Sequence, residues 1–322
     1  MNLKTVFNIS KKLSCAAKSG LVVLAMFFTL GVKAQQDPMY TQYMENMLTI
    51  NPAYAGSKDV LSMMAVSRNQ WVSLAGNPPV TRTFAINSPV SGTNMGLGLS
   101  FLHDEIGVEK QTGLYVDYAY KLYFSNRRSL ALGLKAGVNF YQAGITDLAT
   151  NDPNDPVFSN DINRNFLPNL GVGAFYSTDR YYLGLSVPKL IENSINQNGT
   201  SVQNISRERI HIFFMAGYVF DVNRIVKFKP SILTKIVKNA PVSIDLNTNF
   251  LFYDRLWLGA MYRVGESFGG LFQLQVTNQL KIGYSYDLQT NALGAYNSGT
   301  HEIMVSYDFN LGAGKVRSPR YF

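Results

Sequence analysis

Cysteine is all but missing from this 322-residue chain: the only one is Cys15. It precedes residue 34, where the sequence predicts a cleavage, so no disulfide is expected to hold the remainder. Tryptophan occurs twice, histidine three times, and charged residues make up only 16%. Beyond residue 34 no apolar run approaches the roughly 20 residues of a membrane-spanning helix.

The first 34 residues carry Lys4, Lys11, Lys12 and Lys18, then the apolar run GLVVLAMFFTL (20–30), then VKA before Gln35. A basic start, a short apolar run and a small residue at the cut read as a cleaved secretory signal. Lipidation fits poorly, because Cys15 precedes the apolar run and Lys12 sits where a lipobox needs an apolar side chain. Cleavage removes five lysines (those four and Lys33) and no acid, so the formal charge of +8 falls by five to +3. A basic balance lodged mainly in a leader gives no ground for nucleic-acid binding.

What the chain has is alternation. In LYVDYAYKLYF (114–124), Leu114, Val116, Tyr118, Tyr120 and Leu122 share one face, with Asp117, Ala119 and Lys121 on the other. LALGLKAGVNF (130–140) and the stretch 242–252 repeat the pattern, with Lys135 and with Asp245, Asn247 and Asn249 on the polar side. A two-residue period means strands with one apolar face. Such runs fall at about 60–72, 80–88, 94–103, 110–124, 129–143, 166–177, 180–188, 208–220, 225–236, 241–252, 255–263, 267–277, 279–289 and 300–310.

Short polar turns (SGTN 91–94, SNRR 125–128, TDR 178–180, DVNR 221–224, YDR 253–255, TNQ 277–279) alternate with connections that include the longest, about 144–165, 189–207 and 290–299. Long loops at one end and short periplasmic turns at the other are the pattern of an outer-membrane barrel. Aromatics reach 13%, as interfacial belts require. The apolar faces carry no charge at their middles, where Lys or Arg would cost about 2–4 kcal/mol. Paired glycines such as Gly96 with Gly98 and Gly133 with Gly137 read as aids to sheet curvature.

The expectation is an all-β fold: a transmembrane antiparallel barrel of about fourteen strands. The chain divides into a signal peptide (1–34), an N-terminal plug-like segment (35–59), the barrel (60–311) and a basic periplasmic tail (312–322). Asp117, Lys121, Lys135, Asp245, Asn247 and Asn249 are expected to face the lumen. Eight strands fill their own interior and sixteen leave a water channel, so fourteen call for a narrow channel or an occupant. The opening QQDPMYTQYMENMLTINPAYAG (35–56) supplies a candidate. MYTQYMENML (39–48) reads as a short helix ended by Pro52, too apolar to lie free, folding into or against the periplasmic mouth.

Catalytic constellations are thin. His103, His211 and His301 stand on separate segments without a metal partner at helical or hairpin spacing, and HEIMV (301–305) lacks the second histidine of a zinc-protease helix. A Ser–His–Asn lipase arrangement has nothing pointing to it. NDPNDP (151–156) with Asp161 gathers oxygen ligands of the kind calcium takes, but without an EF-hand pattern and from ordinary turn formers. The chain reads as a non-enzyme with no cofactor.

The opening, with NPAYAG (51–56), RNQW (68–71), GLGLSFLHDEIGV (96–108), YVDYAYKL (115–122), LPNLGVGAFY (167–176), YLGLSVPKL (182–190) and the SPRYF ending (318–322), resembles the PorP/SprF family of type IX secretion and gliding proteins. The resemblance implies a barrel in the outer membrane of a Gram-negative, Bacteroidetes-type bacterium. It implies assistance to secretion or surface anchoring of a large adhesin-like substrate, and a link to a periplasmic peptidoglycan-linked or secretion-core protein. Outer-membrane lipid is the remaining partner, and nucleic acid is none. Candidate partner-binding residues are Tyr40, Tyr43, Met44, Met47, Asn51, Tyr54, Arg68 and Trp71, with Lys315, Arg317 and Arg320 of the tail. The rival function is uptake of hydrophobic small molecules by a FadL-like transporter, which also suits a fourteen-stranded barrel with a plug.

Overall fold

In the computed structural model, which describes residues 38–58, 60–124, 128–146, 148, 161–194 and 208–309, the alternating stretches form fourteen antiparallel strands. They are β1 Leu61–Asn69, β2 Val80–Pro89, β3 Met95–Ile106, β4 Glu109–Phe124, β5 Arg128–Ala143, β6 Ile162–Ser177 and β7 Tyr181–Val187. Next come β8 His211–Tyr218, which resumes at Phe220–Asp221, then β9 Val226–Val237, β10 Ser243–Phe252 and β11 Leu256–Arg263. β12 Ser267–Gln275, β13 Leu280–Gln289 and β14 Thr300–Phe309 complete the set. The expected leader, the loop 151–160 and the tail with Lys315, Arg317 and Arg320 lie outside the described residues.

Neighbouring strands pair in sequence order, and β1 pairs with β14 from Leu61 opposite Phe309 to Asn69 opposite His301, so the sheet closes on itself. Closure leaves no strand edge unpaired, the condition for backbone inside hydrocarbon. The one break within a strand, at Val219, lies beside Pro230 of β9, which has no N–H to donate. On its other side, toward β7, Val219 N donates to Arg180 O at 2.7 Å.

The two faces are inverted relative to a soluble protein. Leu97, Leu99, Leu132, Leu134, Leu170 and Leu185 are exposed on the outside, while Ser100, Asp117, Lys135, Asn169 and Ser186 are buried within. An apolar band this continuous is stable against acyl chains and not against water.

Both termini of the strand array, Leu61 and Phe309, meet at one end. That end also holds the short connections 90–94, 178–180, 222–225, 253–255 and 276–279. The opposite end holds the connections 70–79 and 290–299 and tight turns at 107–108 and 264–266, and there β5 ends at Ala143, β6 starts at Ile162, β7 ends at Val187 and β8 starts at His211.

Four boundaries differ from expectation by three residues or more: the ends of β1 and β3, and the starts of β6, at Ile162 against 166, and of β8, at His211 against 208. β1 stops at Asn69 because the chain turns sharply beyond it, with Trp71 and Ser73 at φ 51° and 72°. β3 runs on to Ile106 because Glu105 and Ile106 pair with Lys110 and Glu109 through a tight turn at Gly107, φ 59°.

Candidate functional site: the occupied lumen

Residues 38–58 fill the interior of the barrel. Tyr40, Tyr43, Met44, Met47, Leu48, Ile50, Ala53 and Tyr54 form one buried cluster with inward side chains of the wall, among them Met64, Phe175, Tyr182, Phe213, Met215, Leu233, Leu271 and Met304. Burying this many apolar side chains, at about 1.5–3 kcal/mol for each large one, is what draws the segment in. Little of it is helical. Residues 41–45 are a turn, Met47–Ile50 a single helical turn (α1), and Pro52–Tyr54 a 3-10 turn whose first free N–H, Ala53, is capped by the Asn51 side chain at 3.0 Å.

The expected helix over 39–48 is reduced to its last two residues, Met47 and Leu48, and at Thr41 and Gln42 the wall takes the backbone. Glu302 of β14 accepts the N–H of Thr41 at 3.0 Å and of Gln42 at 2.8 Å. Further down, Lys135 donates to Leu48 O at 3.3 Å, Ser186 to Ile50 O at 2.8 Å and Lys121 to Gly56 O. Asn51 donates to Ala174 O at 3.0 Å, and Gly56 N to Asn87 at 3.2 Å. Each donor or acceptor comes from a different strand, so the segment is held from around the lumen and by its main chain.

Glycine lets it approach. A Cβ on Gly133 would overlap the Ala53 backbone, and one on Gly96 would overlap Ala55 O. These inward glycines make room for the segment, where the sequence had suggested curvature alone.

Buried charges are arranged in compensated groups. Arg68 of β1 is fully buried and reaches Glu302 at 2.9 Å, Asp287 of β13 at 2.9 Å and the Thr41 hydroxyl at 2.8 Å, while Thr41 donates to Asp287. Arg263 grips Asp245 with two bonds of 2.8 Å. Lys135 pairs with Asp117 at 2.8 Å, and Lys281 with Glu45 of the segment. Burial alone would raise the Glu45 carboxyl; Lys281, then Lys229 and Lys58, reverse this and bring it down to about 2.

The sequence-derived candidates therefore divide. Tyr40, Tyr43, Met44, Met47, Asn51, Tyr54 and Arg68 are all brought together inside the barrel, in contact with the chain's own wall. Tyr40 bonds Thr83 at 2.6 Å, and Tyr54 meets Phe175 edge-on at 5.5 Å. Trp71 stands apart in the loop 70–79, half-buried, its N–H 3.2 Å from the Thr300 hydroxyl. Asp117, Lys121, Lys135, Asp245, Asn247 and Asn249 are buried on the inner face.

Sequence reasoning missed Asp287, Glu302, Arg263, Glu45 and Lys281. Four of them sit on strands at polar positions of an alternating pattern, which was signal enough for their facing but not for their partners. The segment lies inside the lumen, between Glu302 of β14 and Lys121 of β4.

Among the described residues no group of three or more His, Cys, Asp or Glu is placed to hold a metal ion. His103 lies between Glu105 (2.9 Å) and Thr112 (2.8 Å), His211 against Arg209 O (2.9 Å) and His301 against Tyr284 (2.6 Å).

Among solved structures the chain is similar to the outer-membrane protein Omp33 of Acinetobacter baumannii, with 11% identity, a TM-score of 0.45, and 79% of this chain and 100% of that one covered. A Pseudomonas aeruginosa FadL homologue gives 11% identity and a TM-score of 0.43, over 82% of this chain and 94% of that one. The NanC porin gives 9% identity and 0.41, over 78% and 100%. No curated protein matches the chain. The family model of the type IX secretion system membrane protein PorP/SprF matches residues 32–307. A closed fourteen-stranded barrel with a lipid-facing exterior, matched over that span, belongs to the PorP/SprF family and is an outer-membrane protein of the type IX secretion system, not a member of an enzyme family.

Proposed function

We propose that the barrel is a docking partner of the type IX machinery, assisting secretion or surface anchoring of a large adhesin-like substrate. The observation that supports this reading is the occupied lumen: residues 38–58 are anchored from around the wall. The surfaces left for a partner are the two rims. The connections 70–79, 144–161, 188–210 and 290–299 make the outer contact with the substrate. The short turns, with the basic tail 312–322, face a periplasmic peptidoglycan-linked or secretion-core protein, and the leader 1–34 directs export.

A clean gene deletion tests it, with quantitative proteomics of cell-surface and medium fractions. Loss of one or a few large proteins carrying a type IX C-terminal signal, or their shift into the medium, supports docking. Unchanged fractions with reduced uptake of a hydrophobic solute would overturn it in favour of a FadL-like transporter.

A further inference from the structure

The lipid-facing wall is not smooth. A groove of about 550 Å³ is cut into it where β7, β8, β9 and β10 run side by side. The pairing register explains the hollow. Leu183, Ala216, Ile232 and Leu246 stand at one level across the four strands, all on the outward face. Ala216 is the small one, so the surface dips between Leu183 and Ile232. One level nearer the short-turn end Tyr181 stands opposite Tyr218, and beside Pro230 the β8–β9 pairing lapses between Gly217 and Phe220. Packed rings close the hollow beyond that: Phe220 lies 4.3 Å from Tyr218 and 6.0 Å from Phe228, which lies 4.8 Å from Phe250. The groove therefore opens sideways into hydrocarbon, with the volume of a small-molecule site, and its lower rim lies at the short-turn, periplasmic interface.

One corner of that rim is polar and cationic. Tyr181 hydrogen-bonds Tyr176, their rings 5.9 Å apart, and the charge of Arg128 acts on the Tyr181 hydroxyl. Arg128 is exposed on the outward side of β5, one step beyond the Ser129–Ser177–Tyr182 row, and so level with Tyr181. Neighbouring strands lie about 4.8 Å apart, so about 10 Å of backbone separates the two, a gap that their long side chains span. We infer that the groove is a binding site for one glycerophospholipid of the inner leaflet, with an acyl chain along Ala216 and Pro230 and the phosphate on Arg128 and the Tyr176–Tyr181 hydroxyls. An apolar hollow that ends at a guanidinium and phenol donors matches a molecule with a long apolar body and an anionic end. The apolar flank of a second membrane protein would leave the arginine unmatched. Lipid A, in the outer leaflet, carries its phosphates at the opposite end of the barrel. The inference needs the barrel's membrane placement and orientation, not the docking role.

Native mass spectrometry of the detergent-solubilised barrel tests it, with dipalmitoyl phosphatidylglycerol or the diacylglycerol of the same chains as probe. The parent is expected to retain a single phosphatidylglycerol and to bind it about tenfold more tightly than the diacylglycerol, as a charge-assisted phosphate contact allows. Arg128→Gln is expected to lose that preference, and Ala216→Leu, which fills the hollow, to weaken both lipids. Both positions face outward, and heat-dependent gel mobility checks that the variants fold; should Ala216→Leu not fold, the preference lost or kept in Arg128→Gln decides. Arg180→Gln, at the same rim but 3.2 Å from Asp221, and Leu134→Phe, on the outer face of β5 away from the groove, are expected to bind as the parent. Equal retention by the parent, Arg128→Gln and Ala216→Leu would mean ordinary annular lipid and overturns the inference. A parent dimer that Ala216→Leu splits, with lipid binding unchanged, overturns it too, since the groove would then hold a second copy.

Discussion

Arg68 and Glu302 stand opposite one another across the seam where the first strand meets the last, 2.9 Å apart and both fully buried. The same carboxylate receives two backbone N–H groups of the lumenal segment, so one residue pair joins barrel closure to lumen filling. Two carboxylates share one guanidinium here, with Asp287 on its other arm.

Arg68→Ala is expected to destabilise the barrel by about 3–5 kcal/mol, because it leaves Asp287 and Glu302 buried without a counter-charge. The midpoint of heat unfolding, read by gel mobility of the detergent-solubilised barrel, is expected to fall. Neutralising the carboxylates in the same chain, with Asp287→Asn and Glu302→Gln, is expected to restore part of the loss. An unchanged midpoint in Arg68→Ala would show that the charges are hydrated and not held by the arginine.

Gly133→Val is expected to displace the segment. The new Cβ meets the Ala53 backbone, and backbone cannot rotate away as a side chain does. Overpacking of this kind costs about 1–3 kcal/mol. Limited proteolysis is expected to cut within residues 38–58 in Gly133→Val and not in the parent. Gly270→Ala, where a Cβ meets nothing within 4 Å, is the control expected to behave as the parent.

Glu45 sets an acid limit. Its carboxyl, on the lumenal segment, is lowered from 4.5 to about 2. A carboxyl depressed in the folded state stabilises it fully above the unfolded value and loses that contribution as pH falls through the folded one. The unfolding-midpoint difference between the parent and Glu45→Gln is thus expected to be constant above about pH 4.5, to shrink down to about pH 2, and to vanish below. A difference that persists unchanged at pH 2 would mean that Glu45 acts through packing and not through Lys281.

The strands were legible because alternation survives in a sheet with lipid on one side. Asp117 and Lys135 were readable as inward, and even their pairing follows from the hairpin, where they stand directly opposite. Arg68 with Asp287 and Glu302 was not readable: these partners are 219 and 234 residues away in sequence. The segment's local shape was misjudged for the same reason. Tyr40, Tyr43, Met44 and Met47 suit a helical stripe, but Glu302 and Asp287 capture Thr41 and Gln42 from outside the window in which a helix is read. Gly96 and Gly133 were the available signal for close backbone approach, and a sheet that needed only curvature accounted for them equally well.

Removing the occupant should open the barrel. A fourteen-stranded wall encloses more space than its own side chains fill, and here residues 38–58 supply the missing volume. Once they are gone, the inner face still carries Asp117, Lys121, Lys135, Lys229, Arg263, Asn247 and Asn249, all of which water solvates readily. In planar bilayers the parent is therefore expected to conduct weakly, and the variant lacking residues 38–58 to conduct roughly tenfold more or better, as an unfilled barrel of this size would. The deletion also strips Glu302 and Lys281 of their partners on the segment, so it can fail to fold. A protease site placed between Ser57 and Val60 avoids this, since the intact barrel forms first and the segment is released by cleavage and washing. A parent that already conducts as well as the cleaved form would mean that the segment leaves a path beside it. The observation supporting a docking role would then be lost, and a transport role would gain by the same measurement.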